Sequence, residues 1–333
     1  MDKKRIHWSF FISLFSVILL AVSALSFLLG PSHIPFSKII SLIPNGKGTI
    51  EYTILFDIRL PRILLAFAIG GALSIAGVIL QAMFRNPLVE PYTLGISGGA
   101  ALFVSLNMAL KLNQRFGLLS LPTSGILGSI VVILILYVLS VKKGVLKIQG
   151  LLLTGVMISF ISSSLIMLIM AISHTEGLHR IVFWIMGSLE EPNSSLLKLM
   201  LLVSFLGLGI SYVFCFDLNA LSLGEEEALH LGINVERTKK FLFIVASMLT
   251  GFSVSIAGII GFVGLFVPHF IRMIVGIDHR ISLISAFLCG ASFLILCDTL
   301  ARIIISPLEL PVGVITGIVG GGLFIYALTK RRY

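Results

Sequence analysis

Apolar residues in this chain come in long unbroken runs, not in the alternation of a strand or the one-sided stripe of a surface helix. Ten such runs lie near 8–29, 63–84, 94–110, 121–141, 148–172, 199–216, 241–261, 262–277, 281–297 and 310–329. A helix rises about 1.5 Å per residue and needs roughly 20 mainly apolar residues to cross a hydrocarbon core of about 30 Å. The pattern therefore predicts an all-α membrane protein of about ten transmembrane helices. From Phe241 to Ile277 the only titratable interruptions are His269 and Arg272, and as one helix that run would extend roughly 55 Å, beyond the bilayer. It must turn, and Gly258, Gly261, Gly264 and Pro268 supply the places.

The apolar pattern also repeats. Shifted by 181 positions without a gap, Arg62–Ile96 falls on Phe243–Ile277 with ten identities, among them Gly70, Ser74, Ile75, Ala76, Gly77, Pro87 and Gly95 set against Gly251, Ser255, Ile256, Ala257, Gly258, Pro268 and Gly276. Small residues, glycine and proline mark where membrane helices pack closely or break. Span 2 maps onto span 7, five crossings later, and an odd number reverses direction. Spans 2–5 and 7–10 are thus expected to form an inverted repeat, the construction of many transporters.

Composition agrees with the pattern. Of the 333 residues 57% are hydrophobic and 12% charged, with a mean hydropathy of +1.09, whereas about a quarter of a soluble chain is charged. Ten spans put both ends on one side, and both ends are basic: Lys3, Lys4 and Arg5, then Lys330, Arg331 and Arg332. The positive-inside bias makes that side cytoplasmic. The inward segments then hold 15 of the 24 Lys and Arg residues, including Arg85, Lys142, Lys143, Lys147, Arg237, Lys239, Lys240, Arg272 and Arg280. A net charge of +9 follows from basic inner loops and needs no nucleic acid. Val22-Ser23-Ala24 resembles a signal-peptide cleavage site, but an apolar run of about 22 residues exceeds a usual signal core, so a retained first helix is expected. Cys215, Cys289 and Cys297 fall in or beside apolar spans without metal-type spacing and read as core residues.

Chemistry is sparse. No phosphate-binding GxxxxGK[ST] run occurs; Gly46-Lys47-Gly48-Thr49 lacks the first glycine, so the chain does not hydrolyse ATP itself. Only His269, Arg272 and, at an end, Asp298 interrupt the spans, too few for the midplane acids of an ion-coupled carrier. No cofactor or metal site is expected, and a membrane enzyme would need a cluster of nucleophile, base or ligands that is not seen. The segment 217–240 between the repeat halves, about 57–190 and 241–329, is charged and inward. Within it Ala228, Leu229 and Ile233 recur at helical spacing and Gly232 stands where a short helix would end. Such a helix has a partly apolar face to bury, on its own helix ends or on a soluble partner.

Taken in order, Phe56-Asp57-Ile58-Arg59-Leu60-Pro61-Arg62, Ser74-Ile75-Ala76-Gly77, Arg85-Asn86-Pro87-Leu88-Val89-Glu90-Pro91, Leu94-Gly95-Ile96-Ser97, Leu223-Gly224-Glu225, Leu231-Gly232, Gly261-Phe262-Val263-Gly264-Leu265, Pro268-His269, Asp278-His279-Arg280 and Glu309-Leu310-Pro311-Val312-Gly313 resemble the permease subunits of bacterial ABC importers for iron-siderophores, haem and vitamin B12. The resemblance covers nearly the whole chain. It implies a single permease domain over 1–333 in the bacterial cytoplasmic membrane, paired with a second permease chain, the same or related. It further implies two ATP-binding subunits inside and an extracytoplasmic substrate-binding protein outside.

Carried over residue by residue, Arg59, Arg62 and Arg302 would meet acidic side chains of the binding protein. With an ATPase inside, the short helix of the charged segment, read from its own spacing, becomes the expected coupling contact through Gly224, Glu225, Ala228, Leu229, Gly232 and Ile233, with Ala228 and Leu229 facing the ATPase. Asn86, Pro87 and Leu88 would form a cytoplasmic gate. Before Leu151 this chain has Lys147, Ile148 and Gln149 where the vitamin B12 permease carries small hydroxyl residues, so the vitamin is a weaker candidate. The reading favours ferric siderophore import by alternating access, with haem or vitamin B12 as alternatives and an ion-coupled carrier as the competing class.

Overall fold

The computed structural model describes residues 3–32, 35, 48–117, 119–142, 145–190 and 193–330. Lys143, Arg331 and Arg332 of the expected inner basic set, and Gly46 and Lys47, lie outside the described residues. The described chain is almost wholly helical: α1 (Lys3–Leu28), α2 (Ile50–Phe84), α3 (Ile96–Ala109), α4 (Leu112–Phe116), α5 (Ser120–Ser140), α6 (Ile148–Ile172), α7 (Thr175–Ile185), α8 (Ser194–Val213), α9 (Cys215–Leu223), α10 (Glu225–His230), α11 (Val235–Ala257), α12 (Val263–Val275), α13 (His279–Ile303) and α14 (Val312–Lys330). A two-residue hairpin, β1 (Val141–Lys142) on β2 (Val145–Leu146), joins α5 to α6. By length and composition seven of these helices can cross a membrane, and α3, α12 and the apolar part of α14 are shorter apolar helices at predicted positions.

α2 is the axis. Its apolar stretch is almost entirely buried, packed by α8, α11, α12 and α13, while α1, α5, α6 and α8 bury only a minority of theirs and turn apolar faces outward. Small residues let other helices reach it: a Cβ on Gly77 would strike the backbone carbonyl of Gly264 in α12, and one on Gly70 the carbonyl of Gly290 in α13. With no water to drive association inside a bilayer, such backbone approach is what fastens helices together. Before Arg62 the helix widens into a π-helical stretch, Thr53–Arg59, which turns Arg59 and Leu55 inward.

The long apolar run breaks as required, though not at every expected place. α11 ends at Ala257 and α12 begins at Val263, with Gly258 and Phe262 at positive φ. Gly264 and Pro268, expected as alternative turning points, lie inside α12. Gly264 is spent on the contact with α2, and Pro268 falls within α12 without ending it. Backbone groups freed by a break at this depth need partners. The loop after α2 supplies them: Ile260 N–H donates to the Tyr92 hydroxyl (2.9 Å) and Phe262 N–H to the Glu90 carboxylate (2.6 Å). Pro91 lies against Gly264, so the chain climbs from the end of α2 back toward its middle before α3 starts.

Candidate functional site

One face of the bundle gathers the start of α1, the end of α2, the hairpin, α9, α10 and the α12–α13 junction. α10 runs Glu225–His230 and closes through Gly232 at φ 82°. Ile233 N–H donates to Ala228 C=O (3.1 Å) and Gly232 N–H to Leu229 C=O (2.9 Å), the paired bonds of a left-handed glycine cap. The expected helix and its glycine stop are present. The expectation that Ala228 faces outward is corrected: Ala228 is fully buried, pressed onto the bundle, and the exposed apolar side chains are Leu223, Leu229 and Leu231. A helix so short turns one residue in every three or four inward, and Ala228 is the small one that allows close approach.

Glu225 is tied down by Lys239, whose ammonium is buried and bonds Glu225 (3.1 Å), Glu236 (2.7 Å) and the Leu146 carbonyl (3.3 Å). Glu236 in turn accepts from Leu146 N–H at 2.6 Å. One lysine thereby fixes α10, α11 and the hairpin to each other. Nearby, Asp278 caps α13, accepting from Arg280 N–H (3.1 Å), and also binds the Arg280 guanidinium (2.7 Å), Lys4 (3.1 Å) and Asn219 (3.3 Å). The Arg280 hydrogen bonds hold its carboxyl well below the usual range. Lys4 and Arg280 both lie over the Trp8 ring, which seats the start of α1.

α2 stops with Arg85 in the left-handed region, φ 48°. Asn86 Oδ1 accepts from Leu88 N–H at 2.9 Å, a local turn that leaves Asn86 and Leu88 exposed and Pro87 half-buried. Beside this loop a cavity of about 450 Å³ opens between α2, α9 and the α12–α13 junction, bordered by Gln81, Arg85, Ser222, Arg272 and His279. The candidate gate residues and the candidate coupling segment are therefore neighbours: Arg85 reaches Gly224, where α9 gives way to α10.

The opposite face holds the three arginines, and here the expected surface display is corrected. Arg59, Arg62 and Arg302 are each less than 5% exposed. Arg62 donates to Asp298 (2.7 Å) and Glu309 (2.6 Å). Arg302 meets Asp298 (3.1 Å), the Ser26 hydroxyl (2.7 Å) and the Leu29 carbonyl (3.3 Å), and Arg59 meets the carbonyls of Phe27 (3.0 Å), Leu28 (3.1 Å) and Ser32 (2.7 Å). For Arg59 and Arg302 the cause is the end of α1. Its last carbonyls have no helical partner, and the guanidinium fork, with five donors, serves several at once.

Sequence reasoning assigned no role to Glu90, Tyr92, Lys239, Glu236 or Glu309. Glu90 had a legible signal, an acid next to proline inside apolar surroundings; the partners of Lys239 and Glu309 are set by distant chain segments.

Comparison with known proteins gives one answer. The FecCD transport family matches residues 18–330. The hemin transport system permease protein of Yersinia pestis is 38% identical over 96% of this chain and 95% of its own length. The Fe(3+) dicitrate transport system permease protein FecD of Escherichia coli is 38% identical over 86% of this chain and 88% of its own. A solved structure described as an inward-facing conformation of a metal-chelate type ABC transporter aligns with a TM-score of 0.84 at 30% identity, covering 97% of this chain and 99% of that one.

Proposed function

This chain belongs to the FecCD transport family, and on that premise we propose that it carries a ferric siderophore through the membrane by alternating access, driven from the face that bears α10. It is a permease subunit of an ABC importer, a multi-pass protein of the bacterial cytoplasmic membrane, and ATP hydrolysis belongs to partner subunits. Relatives named for hemin and for ferric dicitrate support a metal chelate as cargo. Ferric siderophore is the choice within that class, with haem and vitamin B12 behind it.

The reading takes seven long and three shorter apolar helices as ten crossings of one domain over 1–333, with repeat halves at about 57–190 and 241–329, inverted, and both termini cytoplasmic. Two buried cations fit it: Arg62 stands at the start of the apolar part of α2 and Lys239 near the start of α11, at opposite faces of the bundle. A second permease chain, same or related, would cover α6 and α14. Leu153, Phe160 and Met167 make an exposed stripe at seven-residue spacing on α6, as do Ile318 and Ile325 on α14, the periodicity of helices that pack on helices. The substrate would pass between the two chains.

The observation that carries the mechanism is the pairing of an anchored base with an exposed apolar tip. Glu225 is held by Lys239, Ile233 and Ala228 pack inward, and Leu229 and Leu231 project outward, next to the Arg85–Leu88 loop that we assign as the cytoplasmic gate. Closure of the paired ATPases would push this tip, and Arg85 beside Gly224 would pass the movement to Asn86, Pro87 and Leu88. On the outer side, three guanidiniums against the two carboxylates of Asp298 and Glu309 leave a positive excess beneath the rim where an acidic binding protein would dock.

The test is to purify the permease with tagged ATPase subunits and its binding protein, then measure co-elution and chelate-stimulated ATP hydrolysis. Leu229→Arg with Leu231→Arg should abolish co-elution while binding-protein docking persists. Normal co-elution would remove α10 from the coupling contact, and stimulation by haem alone would replace the siderophore as cargo.

A further inference from the structure

Glu309 differs from every other member of the outer cluster. Asp298 is only about 1% exposed and shared between Arg62 and Arg302, so it cannot leave without stranding two cations. Glu309 is about 28% exposed, binds Arg62 alone among the described pairs, and also borders a separate outer cavity of about 390 Å³ with Arg180 and Trp184. It sits three residues before α14, in a connection tied to the bundle by Leu310 N–H on Ala301 C=O (3.0 Å) and Val312 N–H on Gly187 C=O (3.1 Å), with Leu310 and Val312 packed on the core and Leu308 before them exposed.

We propose that Glu309 is a stand-in ligand: its carboxylate fills on Arg62 the position that an acidic side chain of the docked binding protein takes, and its displacement frees the connection into α14. This rests on the reading of the outer rim as the docking face. It also reconciles that reading with the burial of the arginines, since Arg62 becomes available to a partner only when the one carboxylate that reaches the surface gives way. Exchange of one carboxylate for another changes little net charge contact, so docking to the unmodified chain should respond weakly to salt at this position. The released connection leads directly into α14, whose exposed stripe is assigned to the second permease chain. Docking is thus passed to the place where the two chains meet.

The experiment uses the complete importer in lipid nanodiscs with its binding protein. Glu309→Gln, which keeps shape but removes charge, should tighten docking about two- to fivefold and steepen its salt dependence, while Arg62→Gln weakens docking. Spin labels at Leu308→Cys and Leu110→Cys should change separation on docking in the otherwise unmodified complex, and Glu309→Ala should show the docked separation without binding protein. If Arg62→Gln weakens docking but Glu309→Gln leaves affinity and salt slope unchanged, the stand-in is wrong and the docking face stands. If neither variant changes docking, both are wrong. A label separation that ignores docking and Glu309→Ala alike would also overturn the proposal, whatever the affinities.

Discussion

At opposite ends of the bundle a buried cation is held by two carboxylates, and the two arrangements are built differently. At the end we assign as outer, Arg62 pairs with Asp298 and Glu309, Arg302 joins through Asp298, and α1 carbonyls take further donors. At the end we assign as inner, Lys239 pairs with Glu225 and Glu236, whose side chains are about 45% and 31% exposed. A buried ion must be repaid in geometry and hydrogen bonds, and the outer end achieves this with guanidinium forks in an enclosed network. The inner end uses a point charge whose acids keep their water. In the network around Arg62 only Glu309 can be released, because Asp298 is shared by two buried arginines, whereas around Lys239 either acid can let go. The first arrangement keeps a fixed base when one acid leaves, and the second can loosen α10 as a whole.

That contrast is broken or sharpened most strongly at Asp298. Asp298→Ala leaves Arg62 and Arg302 without their shared carboxylate, and removing one partner of a buried ionic set costs on the order of 3–5 kcal/mol. The variant should lose most of its membrane level or thermal resistance. Glu225→Ala, facing water, should cost less than about 1 kcal/mol. Thermal inactivation of both in the same nanodiscs checks this, and equal losses would mean that the two ends are not built differently.

Lys239→Met comes next. Glu225 and Glu236 can rehydrate, so global stability should fall by only about 1–3 kcal/mol, but α10 loses its tether to α11 and the hairpin. ATPase co-elution should drop far more than thermal resistance does. Gly232→Val acts more locally: nothing lies near the Cβ position, so the cost is conformational, about 1–2 kcal/mol for a β-branched residue in the left-handed region. Folding of the bundle should be unchanged and co-elution reduced. Ala228→Arg, by contrast, forces a charge into a buried contact and should disorder the segment itself.

Much of this molecule was legible in its apolar runs, because bilayer thickness fixes helix length with little reference to tertiary context. All ten runs coincide with helices, and the break after Gly258 falls where the combined run was too long. What was not legible depends on contacts between distant segments. Arg62 looked like a surface cation because it precedes a span, and only the approach of Asp298, 236 residues on, makes it internal. Ala228 and Leu229 are adjacent in an apolar pattern that cannot say which of them turns inward. Glu90 was readable as an oddity, yet its purpose, capping a backbone break opened 172 residues later, was not.

The smallest effect concerns pH at the inner face. Asp278 is held below the usual carboxyl range chiefly by Arg280, whereas an unfolded Asp titrates near about 3.9. A depressed folded-state value means that the stabilisation is complete above the unfolded value and is lost as pH falls through the folded one. Asp278→Asn should therefore lower thermal resistance by a constant amount from about pH 5 to 8, and the difference from the unmodified chain should shrink only below about pH 4. Removal of the Lys4 contact alone, by Lys4→Gln, should matter still less, because that ammonium is mostly exposed and Arg280 supplies the closer bond. A difference that instead varied between pH 6 and 8 would mean that a group other than Asp278 governs this junction.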